Sequence, residues 1–218
     1  MTGRAQVPAE APPDCPLCPR LVAFRAANRQ AEPSWHNGAV ASFGKNNARL
    51  LIVGLAPGLR GANRTGRPFT GDYAGDLLYA TLLDLGFARG SYTASPEDGL
   101  QLIDCMITNA VRCVPPENKP TPAEIGTCRP FLASRIEAMP RLAVILALGR
   151  IAHDSTLAAL AVRRSAFPFA HGARHAPKAG LALYDSFHCS RYNTNTGRLT
   201  PQMFSAVLEA IRSHLADA

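Results

Sequence analysis

No apolar stretch in these 218 residues is long enough to cross a membrane, and the N-terminus lacks the hydrophobic core of a secretory leader. A soluble, cytoplasmic protein is therefore expected. The phosphate-binding lysine loop of nucleoside triphosphatases is absent, and so is the three-glycine dinucleotide fingerprint, which removes the usual scaffolds of nucleotide-driven chemistry. There is no internal repeat, no low-complexity tract and no shift of composition that would divide the chain into comparable halves. With 47% hydrophobic residues the chain can bury one sizeable core. One domain over residues 14–218 is expected, preceded by a flexible Pro/Ala-rich segment at residues 1–13. Acidic side chains are the scarcer charge, 16 against 23 Lys and Arg, and the net charge of +7 suits a polyanionic partner without identifying one.

Four apolar runs, Leu50–Val53, Leu102–Thr108, Leu142–Leu148 and Leu181–Phe187, alternate with stretches of helical spacing. This is the rhythm of an α/β fold: a four-stranded parallel sheet covered by helices on both faces, in three α/β/α layers. Leu77, Leu78, Leu82, Leu83 and Leu85 mark one helix, and Thr121-Pro122-Ala123-Glu124 reads as the capped start of another that runs to about Met139. A third follows Gly149-Arg150, near residues 151–162, and Phe204, Val207, Leu208, Ile211 and Leu215 recur in a terminal helix. Ligands of such sheets bind beyond the carboxyl ends of the strands, so the segments after Val53, Thr108, Leu148 and Phe187 are expected to converge on one cleft.

Six cysteines in a reducing compartment point to ligands or buried apolar residues rather than disulfides. Cys15 and Cys18 form a C-x-x-C pair followed by proline, and Cys113 and Cys128 form a second, wider pair. Four thiolates so spaced suit a [4Fe–4S] cluster, with structural zinc the main competitor. Cys105, within a strand, and Cys189, beside a loop, read as small buried hydrophobes.

The strand ending at Val53 runs into Gly54-Leu55-Ala56-Pro57-Gly58, a sharp turn that leaves backbone N–H groups free to face a ligand. Residues 61–72 follow as a Gly- and Arg-rich loop; Arg60 just before it, with Arg64 and Arg67 in it, can reach phosphates, and Phe69 can stack on a flat ring. At the far end of the chain His188 sits at the lip of the fourth strand, ahead of the polar, basic loop 189–198.

In these motifs, together with Thr108-Asn109-Ala110-Val111-Arg112-Cys113, Asn118-Lys119-Pro120-Thr121-Pro122 and Ala147-Leu148-Gly149, the chain resembles the uracil-DNA glycosylase superfamily, most closely family 5, or type B. The resemblance runs from Cys15 to Leu199. It implies a four-stranded parallel α/β/α fold, a [4Fe–4S] cluster on Cys15, Cys18, Cys113 and Cys128, and excision from DNA of uracil, hypoxanthine and other altered bases. Many superfamily members carry an acidic or amide side chain in the first motif to activate water. Leu55 and Ala56 stand there instead, and the family pattern points to Asp72, with Asp76 one helical turn later as the fallback.

On this reading Asp72 stabilises the sugar cation and holds the water, while His188 donates to the departing base. Gly54, Ala56, Gly58, Phe69 and Asn109 are expected to surround the extruded base, with Asn109 reading its edge. Arg64, Arg67, Lys119, Arg191 and Arg198 are the expected DNA contacts, Arg191 at the tip of the loop that fills the vacated space. The expected partner is single- or double-stranded DNA holding a flipped damaged base, met by a nucleoid-associated monomer. A non-catalytic binder of damaged or abasic DNA, and a glycosylase chiefly for a base other than uracil, are the alternatives.

Overall fold

Leu50 and Ile52 face one side of the sheet, Leu51 and Val53 the other, and all four are fully buried, as only a strand covered on both faces permits. The structure, a computed structural model, describes residues 8–217. In chain order it contains α1 (Pro19–Ala31), β1 (Phe43–Gly44), β2 (Leu50–Gly54), a short α2 (Ala62–Thr65), α3 (Tyr73–Asp84), β3 (Ala88–Arg89), β4 (Gln101–Leu102), β5 (Cys105–Asn109) and α4 (Pro122–Glu137). There follow β6 (Val144–Leu148), α5 (Arg150–Ala159), β7 (Arg174–Lys178), β8 (Leu181–Ser186), α6 (Arg191–Asn195) and α7 (Pro201–Ala216).

The main sheet has the order β1-β5-β2-β6-β8-β7. Its four central strands are parallel and correspond to the four apolar runs, while β1 and β7 add antiparallel edges. The edges carry no apolar run: β1 is two residues long, and β7 reads Arg-His-Ala-Pro-Lys, with a bulge between His175 and Lys178. Leu78 and Leu82 of α3 and Phe204, Leu208 and Ile211 of α7 cover one face; Leu132 of α4 and Ala152 and Leu157 of α5 cover the other. No described helix is long and apolar enough to cross a membrane.

Two expectations need correction. The run Leu102–Thr108 is not one strand, because Asp104 turns the backbone into the left-handed region (φ 51°) between β4 and β5 and accepts a 2.8 Å bond from Arg49 N. The expected flexible segment is tied down over its described part, since the Glu10 carboxylate accepts 3.0 Å bonds from buried Arg112 and from Ser42 N and also pairs with Arg135. Residues 1–7 lie outside the described residues. The capping expectation for α4 is met: Thr121 Oγ1 accepts from Glu124 N at 3.2 Å and Glu124 Oε2 accepts from Thr121 N at 2.7 Å.

Arg67 is also displaced from its expected place on DNA. It is buried, its guanidinium making two 2.8 Å bonds to the fully buried Asp98 carboxylate and a 2.7 Å bond to Thr70 Oγ1. The rings of Phe43, Tyr79 and Tyr92 surround it, with centroids 5.2, 5.5 and 5.9 Å away. Tyr79 Oη donates to Pro68 O at 2.7 Å and Tyr92 Oη to Phe69 O at 3.3 Å, so this network fixes the loop that carries Phe69. The Arg67 guanidinium holds the Asp98 carboxyl well below its usual range. The pair therefore stabilises the fold above the ordinary carboxylate pKa, and that contribution is lost as pH falls through the depressed value.

Arg67→Met, which leaves Asp98 buried and unpaired, is expected to lower stability at neutral pH by about 3 kcal/mol. Urea unfolding measures this, and the gap from wild type should narrow as the pH is lowered towards 2.

Candidate active site

The carboxyl ends of β2, β5, β6 and β8 open into one cleft of about 890 Å³, as the sheet topology requires. Its lining includes Ala56, Gly58, Phe69, Asp72, Asn109 and His188. Four of the expected base-site residues thus meet both expected catalytic residues. Gly54 forms the buried floor behind them.

Asp72 is the N-cap of α3: its Oδ1 accepts from Gly75 N at 3.2 Å, which fixes the carboxylate at the positive end of the helix. Its Oδ2 occupies space kept clear by two glycines. A Cβ on Gly58 would lie 2.8 Å from Oδ2, and one on Gly61 would overlap it. Burial pushes the Asp72 pKa up against the opposing pull of the Gly75 and Ala74 N–H groups. Asp76, in the first turn of α3, is exposed and does not line the cleft.

Phe69 adopts φ 52°, a left-handed conformation rare for an aromatic residue, and its ring stacks beside His188 with centroids 5.8 Å apart and planes at 27°. The two rings form one wall of the cleft. Gly54 is required beneath them, because a Cβ there would lie 2.6 Å from Phe69 Cζ and collide with Asn109 Oδ1. Asn109 Oδ1 is buried and has no hydrogen-bond partner among the described residues. Burial alone pushes the His188 imidazole down to about 4, so it is neutral at pH 7. Among the described residues neither Asp72 nor His188 takes part in an ion pair.

The basic residues divide. Arg191 lines the cleft mouth with its guanidinium 5.3 Å from the Tyr73 ring centroid. Arg64 is exposed nearby on α2, its Nε donating to Arg60 O at 2.9 Å. Lys119 is exposed and paired with Glu117 at 3.1 Å, and Arg198 lies 4.5 Å from the Phe187 centroid; neither lines the cleft. Tyr73, Asn118, Arg150, Ile151 and Tyr192 do line it and were not among the expected residues. Tyr192 is 72% exposed and Ile151 39%. Both follow a strand end and a helix start, which is the signal that would have found them.

On the other side of β5 the four cysteines come together. Cys15, Cys113 and Cys128 are buried and Cys18 half-buried, all carry free thiols, and with Leu17, Leu21 and Phe131 they surround one small cavity. Four thiols on one small cavity make a Cys₄ donor set, which iron–sulfur clusters and structural zinc both use. Arg112 N donates to Cys128 Sγ at 3.3 Å and Arg25 Nη1 to Cys113 Sγ at 3.6 Å, the kind of contact that favours thiolate.

The depressed His188 pKa predicts a measurable pH effect. The unfolded chain binds this proton below about 6.5 and the folded chain only below about 4, so this residue makes stability fall as pH is lowered between those values. His188→Gln should lose less stability than wild type over that window in urea unfolding; equal losses would mean that the imidazole is hydrated.

Residues 41–212 match the family model described as the uracil DNA glycosylase superfamily. A type-5 uracil-DNA glycosylase of Thermus thermophilus is 46% identical over 200 residues, covering 89% of this chain and 90% of the relative. One of Pyrobaculum aerophilum is 40% identical over 209 residues (94% and 89%), and one of Mycobacterium leprae 42% over 202 (88% of each). A type-4 uracil-DNA glycosylase of Archaeoglobus fulgidus is 38% identical over 114 residues, about half of each chain. With a matched segment that takes in the whole cleft, this chain belongs to the uracil-DNA glycosylase superfamily.

Proposed function

We propose that this protein hydrolyses the N-glycosidic bond of uracil in DNA, with hypoxanthine and other deaminated bases as further substrates, and leaves an abasic site for base excision repair. The observation that carries the reading is one cleft holding a desolvated carboxylate, Asp72, and a neutral imidazole, His188, each without an ionic partner among the described residues. Bond cleavage places positive charge on the sugar and negative charge on the base, and the two groups suit one end each.

The glycosidic electrons leave with the base, whose oxygen accepts a hydrogen bond from neutral His188. Because burial holds the pKa of its protonated form at about 4, His188 meets the base as a neutral imidazole, which offers a hydrogen bond and has no extra proton to transfer. Asp72 Oδ2 orients a water whose oxygen bonds to the sugar carbon, and the pKa raised by burial favours acceptance of the water's proton. Asn109 lines the cleft at the end of β5, where its amide can meet the ring N–H beside a carbonyl that uracil and hypoxanthine carry and that cytosine, with no hydrogen on N3, lacks. Reaching this depth requires the nucleotide to leave the duplex, at a cost of a few kcal/mol that is smaller for mispaired bases. Arg191 and exposed Tyr192 at the mouth, with exposed Arg64 beside Gly71, favour the flipped state from the duplex side.

Cys15, Cys18, Cys113 and Cys128 would hold a [4Fe–4S] cluster. Bound there, it supplies a structural link between the N-terminal arm and the segments after β5 and within α4.

Asp72→Asn keeps a good helix cap, so its effect reports on chemistry. Single-turnover release of uracil should fall roughly 10²-fold or more while affinity for abasic duplex changes little; near-normal turnover would remove Asp72 from the reaction. Anaerobically purified protein should contain iron and sulfide and absorb visible light, and Cys113→Ser should lose both. Colourless protein carrying zinc would refute the cluster.

A further inference from the structure

Beside the active cleft, between the start of α5 and residues 163–169, lies a second groove of about 590 Å³. Its charged lining residues are Arg150, Arg163, Arg164 and one carboxylate, Asp154. Arg150 belongs to both depressions, so the groove continues the cleft. Arg163 and Arg164 are exposed, and none of the three arginines pairs with a carboxylate among the described residues; Arg163 Nε donates only to Ser165 Oγ, at 2.8 Å.

The segment that carries these cations is anchored. Phe167 O accepts a 2.8 Å bond from Nε2 of buried His153, whose Nδ1 donates to Asp185 at 2.7 Å. The Phe169 ring meets His153 edge-on at 5.6 Å, and Phe167 meets His175 at 5.8 Å. The aromatic side chains also align the cations: Arg150 sits 5.5 Å from the Phe169 centroid, Phe169 is 6.2 Å from Phe187, and Arg198 is 4.5 Å from Phe187. A guanidinium resting on a ring face keeps its N–H edge free for an anion while its side chain is pre-ordered.

We infer that this groove carries the DNA backbone away from the cleft, with Arg150, Arg163 and Arg164 on successive phosphates. The inference rests on the glycosylase reading for its partner, since a nucleic acid entering the cleft must leave it along one of the rims. Asp154 limits the net charge, which favours a tracked backbone over a dense anion such as a free polyphosphate.

The test compares wild type, Arg163→Ala/Arg164→Ala and Arg163→Lys/Arg164→Lys, each with its cluster, by fluorescence anisotropy on two abasic duplexes: a long one, and a short one ending at the cleft. For the long duplex the alanine pair should flatten the slope of log affinity against log salt by about 2 and weaken binding roughly 10-fold, while the lysine pair retains the wild-type slope. An unchanged slope, an equal loss on the short duplex, or failure of lysine to substitute would overturn the groove. Uracil release by wild type is followed in parallel. If no base is released, the glycosylase reading fails, while the anisotropy still decides the groove.

Discussion

The buried pairing of Arg67 with Asp98 is the constraint on which the active cleft depends. A guanidinium and a carboxylate removed from water persist only if each is fully satisfied, and here Thr70, two backbone N–H groups and three aromatic rings complete the shell. The tyrosines of that shell hold the carbonyls of Pro68 and Phe69, and Phe69 thereby keeps a backbone conformation that it would not adopt alone. The ring placement at the cleft is thus set by an ionic contact whose two members lie outside the cleft lining.

Around that frame the cleft works by exclusion. Glycines at 54, 58 and 61 let the Phe69 ring, the Asn109 amide and the Asp72 carboxylate approach the backbone more closely than any larger residue would allow. The same withdrawal of water acts oppositely on Asp72 and His188, raising the affinity of the carboxylate for a proton and lowering that of the imidazole. Burial is the leading cause for both groups, and on Asp72 the nearby Asp76 carboxylate adds a smaller push in the same direction.

The parallel core was legible because strands buried on both faces read as continuous apolar runs, and Thr121 with Glu124 announced its capping box outright. The convergence of Asp72, Phe69, Asn109 and His188 followed from the topology once those strands were placed. The arginines were not legible. Arg64 and Arg67 stand three residues apart in the same glycine-rich loop, yet one is exposed and the other buried, and the difference lies in Asp98, 31 positions further along. The edge strands were hidden for a related reason: neither carries enough buried surface to leave a pattern. Tyr73 and Tyr192 at the mouth leave no periodic pattern, being exposed aromatics at helix starts, and only their place beyond a strand end marks them.

The outer strand β7 has a consequence for the molecule in a concentrated solution. Its Arg174 and Lys178 side chains stand in solvent, Pro177 has no N–H to offer, and the bulge after His175 bends the ladder out of register. A sheet bordered in this way gives a neighbouring chain no straight row of donors and acceptors to copy, so that side of the molecule is guarded against fibrous self-association.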